Sequence, residues 1–247
     1  MFQSIGELIV LFWTTLRAFP ALWRNRAKVL DQIFEIGNAS LLMACILSLF
    51  IGGVLALQTG PVLVERGLGQ YVGGMVGISM CKELAPVMMA ILIAGRIGSA
   101  MAAEIGSMQV YQEIDALRTM NINPVHYLVL PRLVAISLVL PVLIIFSIVV
   151  GWLGGALVAS FNHQISIGFQ SYFANLRNLV HVRSVVGGLL KGLIFAMIIG
   201  TVSCHQGLHT LGGPRGIGRS VTKAVVNSIV LILILDYILT RLLMFAD

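Results

Sequence analysis

The run LVAISLVLPVLIIFSIVVGWLGGALVA, residues 133–159, indicates what class of structure this chain adopts. No Asp, Glu, Lys or Arg occurs between Arg132 and Arg177. A helix that crosses the hydrocarbon core of a bilayer needs about 20 apolar residues, so this run is long enough to cross it. The apolar residues are continuous and do not alternate with period two, which favours a membrane helix over a barrel strand.

Charge-free gaps of similar character lie elsewhere in the chain, from Glu35 to Glu65 and from Lys191 to Arg215. Only 11 % of the 247 residues are charged and 58 % are hydrophobic, whereas a soluble domain usually carries about 25 % charged residues. Too few charges remain to cover a water-facing surface. The sequence therefore predicts an all-α polytopic membrane protein with about five transmembrane helices and an N-terminal amphipathic interfacial helix.

The five spans are predicted at about residues 38–63, 70–103, 127–159, 185–204 and 222–245. Pro86 is expected to bend the second span, and Pro141 to tilt or kink the third. Residues 161–183 contain no obvious span. Residues 207–219 are rich in Gly and Arg, and we expect them to form a cytoplasmic loop.

The N-terminal segment has apolar residues at helical spacing, with Trp13 and Trp23 suited to the headgroup level. We expect residues 1 to about 20 to lie in the interface as a helix. Residues 1–37 then form an interfacial and cytoplasmic segment, and residues 38–247 form the transmembrane domain. More basic residues lie in the N-terminal segment and around the second and fourth loops than in the first and third loops, which predicts a cytoplasmic N-terminus and an outer C-terminus. The cytoplasmic set is Arg17, Arg24, Arg26, Lys28, Arg118, Arg215, Arg219 and Lys223.

Ionisable residues interrupt the apolar runs, and these are Lys82, Glu83, Arg96, Glu104, Lys191 and Asp236. A charge at the bilayer centre costs about 3 kcal/mol on insertion scales, so such residues usually pair or line a wet path. Lys82 and Glu83 point about 100° apart on a helix and cannot serve mainly each other. We predict that Lys191 pairs with Glu83 and that Asp236 pairs with Lys82. A clamp that only fixes helix packing and a proton relay are both open interpretations.

Several motifs that suggest chemistry fail on their context. Residues 213–220 resemble a phosphate-binding loop. Such a loop lies between a strand and a helix of a soluble domain, whereas here a membrane span follows it directly. His205 and His209 are four apart, yet no carboxylate lies near them in sequence and Gly207 weakens a helix there, so no metal site is predicted. Cys45, Cys81 and Cys204 lie in apolar segments and form no disulfide framework. We therefore expect no enzyme activity and no cofactor.

A polar segment at residues 104–124 separates the second and third spans. Within it, residues 109–120 predict a short amphipathic helix on the cytoplasmic side, with Val110, Ile114, Leu117 and Met120 on its apolar side. Glu113, Asp115 and Arg118 form a solvated or docking face. Such a helix suits the docking of a soluble partner, and an interfacial helix that lies on lipid is the alternative.

Eight short pieces of the sequence occur in the order found in one family. They are GVLALQ at 53–58, KELAPV at 82–87, AGRIGSA at 94–100, AEIGSM at 103–108, EIDAL at 113–117, PR at 131–132, GRSVTK at 218–223 and LDYILT at 235–240. In these pieces the chain resembles the MlaE-type lipid permeases, which include the YrbE permeases of Mce systems and a plastid lipid importer. The resemblance covers nearly the whole chain after the N-terminal helix.

The resemblance implies a homodimeric permease subunit of an ABC transporter, located in the bacterial inner membrane with its C-terminus in the periplasm. It implies that phospholipids move between the inner and outer membranes, which supports outer membrane lipid asymmetry. A cytoplasmic ABC ATPase dimer is expected on the coupling helix at about residues 104–122. A periplasmic hexamer of MCE-domain protein is also expected, and in proteobacterial systems a STAS-domain subunit. The positions implied for ATPase coupling are Glu104, Glu113, Asp115, Leu117 and Arg118.

The resemblance also implies a lipid cavity between the two subunits. Leu55, Val62, Leu63 and Arg66 match its lining, and Gln58 with Arg66 offers polar groups for a lipid headgroup. The family's charged pair near the cavity matches Lys82 and Glu83, and its buried pair matches Lys191 and Asp236. Arg66 falls where some relatives carry an aromatic residue. Two other classes of function stay open at this point, namely an ion- or proton-coupled secondary carrier and a membrane scaffold that recruits a soluble protein.

Overall fold

A computed structural model of the chain describes residues 2–17 and 26–246. These residues fold into helices and contain no strand, which confirms the predicted all-α class. The α-helices are α1 (Phe2–Arg17), α2 (Arg26–Glu65), α3 (Val72–Ser79), α4 (Ala85–Ile93), α5 (Ser99–Val110), α6 (Glu113–Thr119), α7 (Leu130–Phe161), α8 (Phe169–Leu179), α9 (Val182–Leu208) and α10 (Gly213–Ala246).

Five helical segments in the described residues are long and apolar enough to cross a membrane, as predicted. They are Arg26–Glu65, Gly69–Val110, Val125–Phe161, Val182–Leu208 and Gly213–Leu243. The first is a single helix of 40 residues, and the predicted boundary between residues 37 and 38 lies inside it. At a rise of about 1.5 Å per residue it is about 60 Å long, roughly twice the hydrocarbon thickness, so its polar N-terminal turns extend beyond the membrane core.

The loop predicted at residues 207–219 is wrong in its extent. Helix α9 continues to Leu208 and α10 already begins at Gly213, so Gly216 and Gly218 are helical. The turn itself needs only Gly212 and Gly213, whose φ angles of 92° and 67° lie in the left-handed region that glycine adopts without strain. The segment at residues 161–183 contains α8, which has 11 residues and is too short to span a bilayer.

The second and third spans contain π-helical turns next to prolines. Met80–Leu84 precedes Pro86, and Val125–Val129 precedes Pro131. Proline has no N–H, and its ring clashes with the carbonyl four residues earlier. That carbonyl belongs to Lys82 in one case and Tyr127 in the other, and both lie within the π turns. Helix α7 passes Pro141 as an ordinary α-helix, so no helix break accompanies the expected kink there.

The chain divides into two compact units. One of them comprises residues 40–89 and 141–192, and in it α2 meets α7 at glycines. A Cβ atom on Gly52 would overlap the backbone of Gly151, and one on Gly154 would overlap the backbone of Leu49. One turn before Gly52, the hydroxyls of Ser48 and Ser147 share a hydrogen bond of 2.6 Å. Helix α8 packs on α3 in the same unit, and burial raises the pKa of its Tyr172.

The other unit comprises the described parts of residues 1–39, 90–140 and 193–247. Its small residues allow close helix packing. Gly98 lies against Ile199 and Ser203, and Gly106 against Thr210. These glycines of the second span therefore pack within the chain. Helix α1 confirms the predicted N-terminal helix as far as Arg17, while Phe19, Pro20, Trp23 and Arg24 of the predicted interfacial segment lie outside the described residues.

Candidate functional site

The predicted lipid-contacting residues lie at the C-terminal end of α2. Gln58 and Val62 follow Leu55 by three and seven residues, so at about 100° per residue the three side chains share one face of the helix. Leu55 is half-buried, while Gln58 and Val62 are exposed. Leu63 is half-buried on a neighbouring face, and Arg66 is exposed directly after the helix ends at Glu65. In a single chain this face is a surface, with Gln58 between its two apolar residues and the Arg66 cation at one end.

The neighbouring face of the same helix is closed. Gly52, Ala56 and Gly60 are buried there, and a Cβ atom on Gly60 would overlap the side chain of Ile165. The packing of α2 within its unit therefore orients the helix and directs Leu55, Gln58 and Val62 outward.

A second group of predicted residues meets at the π turn Met80–Leu84. Pro86 cannot donate the helical hydrogen bond that the carbonyl of Lys82 would otherwise accept. The ammonium of Lys191 supplies a donor instead, with its Nζ 3.0 Å from the Lys82 oxygen. Helix α9 approaches closely enough because Gly188, one turn before Lys191, has no side chain, and a Cβ atom there would overlap the carbonyl of Cys81.

The same ammonium also forms an ion pair. Lys191 Nζ lies 2.9 Å from Glu83 Oε2, and its side chain is 2 % exposed while that of Glu83 is 40 % exposed. The structure therefore contains the Lys191–Glu83 contact that the sequence predicted. A buried ammonium is costly unless it is paired and hydrogen-bonded, and here one carboxylate and one backbone oxygen reduce that cost. The group can anchor α9 to the π turn, and Glu83 is its more exposed member.

Lys82 and Asp236 are both half-buried. Asp236 is on α10, where it follows a long apolar run. The pairing of Lys82 with Asp236, and that of Lys191 with Asp236 implied by the family, stay predictions. All four charged residues make interactions in the structure.

The coupling segment differs in its boundaries from the helix predicted at residues 109–120. Helix α5 runs on to Val110, and Gln112 adopts a left-handed conformation with φ of 61° before α6 begins at Glu113. Helix α6 therefore has seven residues and its own direction. Ile114 is fully buried, and Leu117 packs against the same cluster of Ile105, Leu128, Val129 and Cys204. The apolar side thus faces the rest of the chain, while Met120 is 61 % exposed.

The charged side of α6 is open. Glu113 is exposed, and Asp115 and Arg118 form an exposed ion pair of 3.0 Å one turn apart. Glu104, the fifth position implied for coupling, lies on α5 and forms an ion pair of 2.8 Å with Arg132 of α7. The side chain of Arg132 is 12 % exposed and that of Glu104 is 54 % exposed. Glu104 therefore joins the second and third spans and also reaches the surface.

One cluster was missed from the sequence. Glu7 on α1 lies 3.3 Å from Nε2 of His205 and 3.9 Å from Nε2 of His209. The expectation that no carboxylate lies near the two histidines was therefore wrong. The two groups are almost the whole chain apart in sequence, and Gly207 does not end α9, which continues to Leu208. The amphipathic pattern of α1 is the one sequence signal that indicated packing of this helix on the rest of the chain.

Comparison with known proteins gives consistent matches along the chain. The family model described as Permease MlaE matches residues 29–242. A probable ABC transporter permease protein of Synechocystis sp. is 37 % identical over 241 residues, which cover 96 % of this chain and 90 % of that protein. A probable ABC transporter permease protein of Rickettsia typhi is 35 % identical over 243 residues, which cover 98 % and 92 %.

A plant protein matches as well. The chloroplastic protein Trigalactosyldiacylglycerol 1 of Arabidopsis thaliana is 36 % identical over 218 residues. The match covers 88 % of this chain and 61 % of the plant protein.

Proposed function

Because this chain belongs to the MlaE permease family and is an ABC transporter permease, we propose that it moves phospholipids between the inner and outer bacterial membranes as a homodimer. An ABC permease draws its energy from an ATPase partner, so ATP hydrolysis belongs to that partner. This source of energy disfavours an ion-coupled carrier. The name of the Arabidopsis relative refers to a glycerolipid, which supports a lipid as the class of substrate.

The observation that carries the proposal is the outward face of α2. A phospholipid needs an apolar surface for its acyl chains and a few polar groups for its head. Leu55 and Val62 supply the first on one face, with Gln58 between them and Arg66 just beyond the helix. A guanidinium at the end of an apolar stripe suits a phosphate group, which it binds with two parallel hydrogen bonds. Two copies of this face, one from each subunit, would enclose the lipid.

The partners follow from the same assignment. The open charged side of α6, with Glu113, Asp115 and Arg118, is proposed to dock the ATPase dimer. Basic residues near the N-terminus and at the start of α10 support a cytoplasmic N-terminus and a periplasmic C-terminus. With that orientation, the end of α2 at Arg66 faces the periplasm, where a hexamer of MCE-domain protein would receive or deliver the lipid. A STAS-domain subunit is proposed only for systems of the proteobacterial type.

Site-specific photo-crosslinking tests the lipid face. A photoreactive amino acid replaces Val62, and the matched control replaces Val149 on α7, since the two valines are 47 % and 46 % exposed. Val62 should capture phospholipid several-fold more efficiently, and ATP with the ATPase present should change its yield. Position 149 should capture bulk lipid regardless of ATP. Equal yields at the two positions, with no effect of ATP, would remove support for the lipid face.

A further inference from the structure

The geometry points to a site for a divalent transition-metal ion, with zinc as the best fit, formed by Glu7, His205 and His209. The ligand atoms of these three side chains all lie within 4.8 Å of one another. A zinc ion held at about 2.0–2.1 Å by tetrahedral ligands has neighbouring ligand atoms about 3.3 Å apart. The carboxylate oxygen of Glu7 is 3.3 Å from His205 Nε2 and 3.9 Å from His209 Nε2. Shifts of the exposed side-chain ends by less than about 1 Å would complete that arrangement.

The hydrogen bonds of His209 leave the correct nitrogen available. Its Nδ1 lies 2.9 Å from the backbone oxygen of His205 and donates to it. In a neutral imidazole the other nitrogen, Nε2, then carries a lone pair. Metal-binding histidines usually have this arrangement, in which a backbone carbonyl fixes one nitrogen and the other binds the metal. Without a cation, the Nε2 lone pair would face the negatively charged Glu7.

His205 directs its Nε2 to the same point. The residue is 4 % exposed, and its Nδ1 has no hydrogen-bond partner in the described part of the chain. The two imidazoles stack with ring centroids 4.3 Å apart, because His209 directly follows the end of α9 and lies about one helical turn after His205. Two imidazole nitrogens and one carboxylate form a ligand set typical of zinc sites with an open fourth position. That position is open to the surface of the chain, since the side chains of Glu7 and His209 are 48 % and 56 % exposed.

The helices that carry the ligands are already in contact. Leu8 and Phe12 of α1 line the same apolar cavity of about 340 Å³ as Thr201 and Val202 of α9. A bound ion would therefore add a crosslink to a packed pair of helices. Its effect would be to hold the interfacial helix on the end of the fourth span.

Zinc binding to the purified full-length permease tests the site. The protein is stripped with a chelator, equilibrated with buffered zinc and analysed for bound metal. The wild type should bind one zinc ion per chain, and Glu7→Gln and His209→Gln should each bind at least about tenfold more weakly, since even the loss of an outer-shell partner costs this much. His181→Gln changes an exposed histidine on another segment and should bind zinc like the wild type.

Thermal unfolding distinguishes a metal site from a plain hydrogen bond. Glu7→Gln retains an oxygen that accepts from His205, so a hydrogen-bonded contact would survive this change. Zinc should raise the Tm of the wild type and of His181→Gln, but not that of Glu7→Gln. Millimolar Mg²⁺ should not displace the zinc, because Mg²⁺ requires oxygen ligands. The proposal is overturned by a wild type that binds no zinc, by variants that bind it equally well, or by displacement with Mg²⁺.

Discussion

A lysine inside a membrane helix must replace the water that it loses, and Lys191 does so with one backbone oxygen and one carboxylate. The backbone oxygen is available because Pro86 removes the donor that Lys82 would have used. The carboxylate of Glu83 comes from the same π turn. The proline, the π turn and the buried lysine thus form one interdependent group, to which the sequence KELAPV contributes Lys82, Glu83 and Pro86.

A double-mutant cycle on Lys191 and Glu83 should reveal this interdependence. Glu83→Gln removes a carboxylate from a buried ammonium, and Lys191→Met removes the cation itself. Each change should lower the stability of the purified permease. The double variant should lose less than the sum of the two, with a coupling energy of about 1–3 kcal/mol, because contacting residues are not additive. Thermal or denaturant unfolding of the four proteins measures it.

An exposed lysine supplies the control for that cycle. Lys223→Met on α10 changes an exposed side chain and should not couple to Glu83→Gln. If the stability losses of Lys191→Met and Glu83→Gln are additive, their coupling energy is as small as that of the Lys223 control. That result would contradict the account of the ion pair.

The residue scale also shows where sequence reasoning succeeds and where it stops. The Lys191–Glu83 contact could be predicted because charges in apolar runs must find partners, and few candidates existed. The hydrogen bond from Lys191 to the Lys82 carbonyl could not be predicted, because it depends on a π turn that no residue pattern indicated. The contact of Glu7 with His205 could not be predicted either, since it depends on how α1 packs on α9.

At the scale of single elements, α6 divides its roles between its two sides. Ile114 and Leu117 fasten the helix to a core of the permease, so Leu117 positions the helix even though the family resemblance places it among the coupling residues. Glu113, Asp115 and Arg118 remain at the surface, and they are the side chains that an ATPase can reach. The amphipathic pattern placed Ile114 and Leu117 correctly on the apolar side, whereas Met120 is exposed and Val110 belongs to α5. The pattern could not tell whether the apolar side met lipid, a partner or the chain itself.

Substitutions on the two sides of α6 should therefore separate stability from partner binding. Glu113→Lys combined with Asp115→Lys should release the ATPase in a pull-down while the Tm of the permease changes little, since exposed charges contribute little to stability. Ile114→Ala should instead lower the stability of the permease by about 2–5 kcal/mol through loss of a buried side chain. Undiminished ATPase recovery with the double charge reversal would refute the docking role.

At the scale of the whole molecule, long apolar runs with few or no charges were enough to predict five spans. A helix in lipid must satisfy its own backbone, so length and apolar content determine where the chain crosses. The ends of the spans were less accurate, as at residues 207–219, because glycines that suggest a loop are also used where helices pack closely. Neither the apolar runs nor the glycines predict how two chains would enclose a lipid, because that arrangement depends on a second copy of α2.

The central claim is that paired α2 faces hold a phospholipid in an ABC permease, and native mass spectrometry of the permease–ATPase complex tests it most directly. The complex, extracted from membranes, should contain two permease chains and bound phospholipid. Val62→Trp fills the proposed lipid position and should reduce the bound lipid several-fold, whereas Val149→Trp should not. A complex that carries no phospholipid, or equal lipid in both variants, would contradict the account.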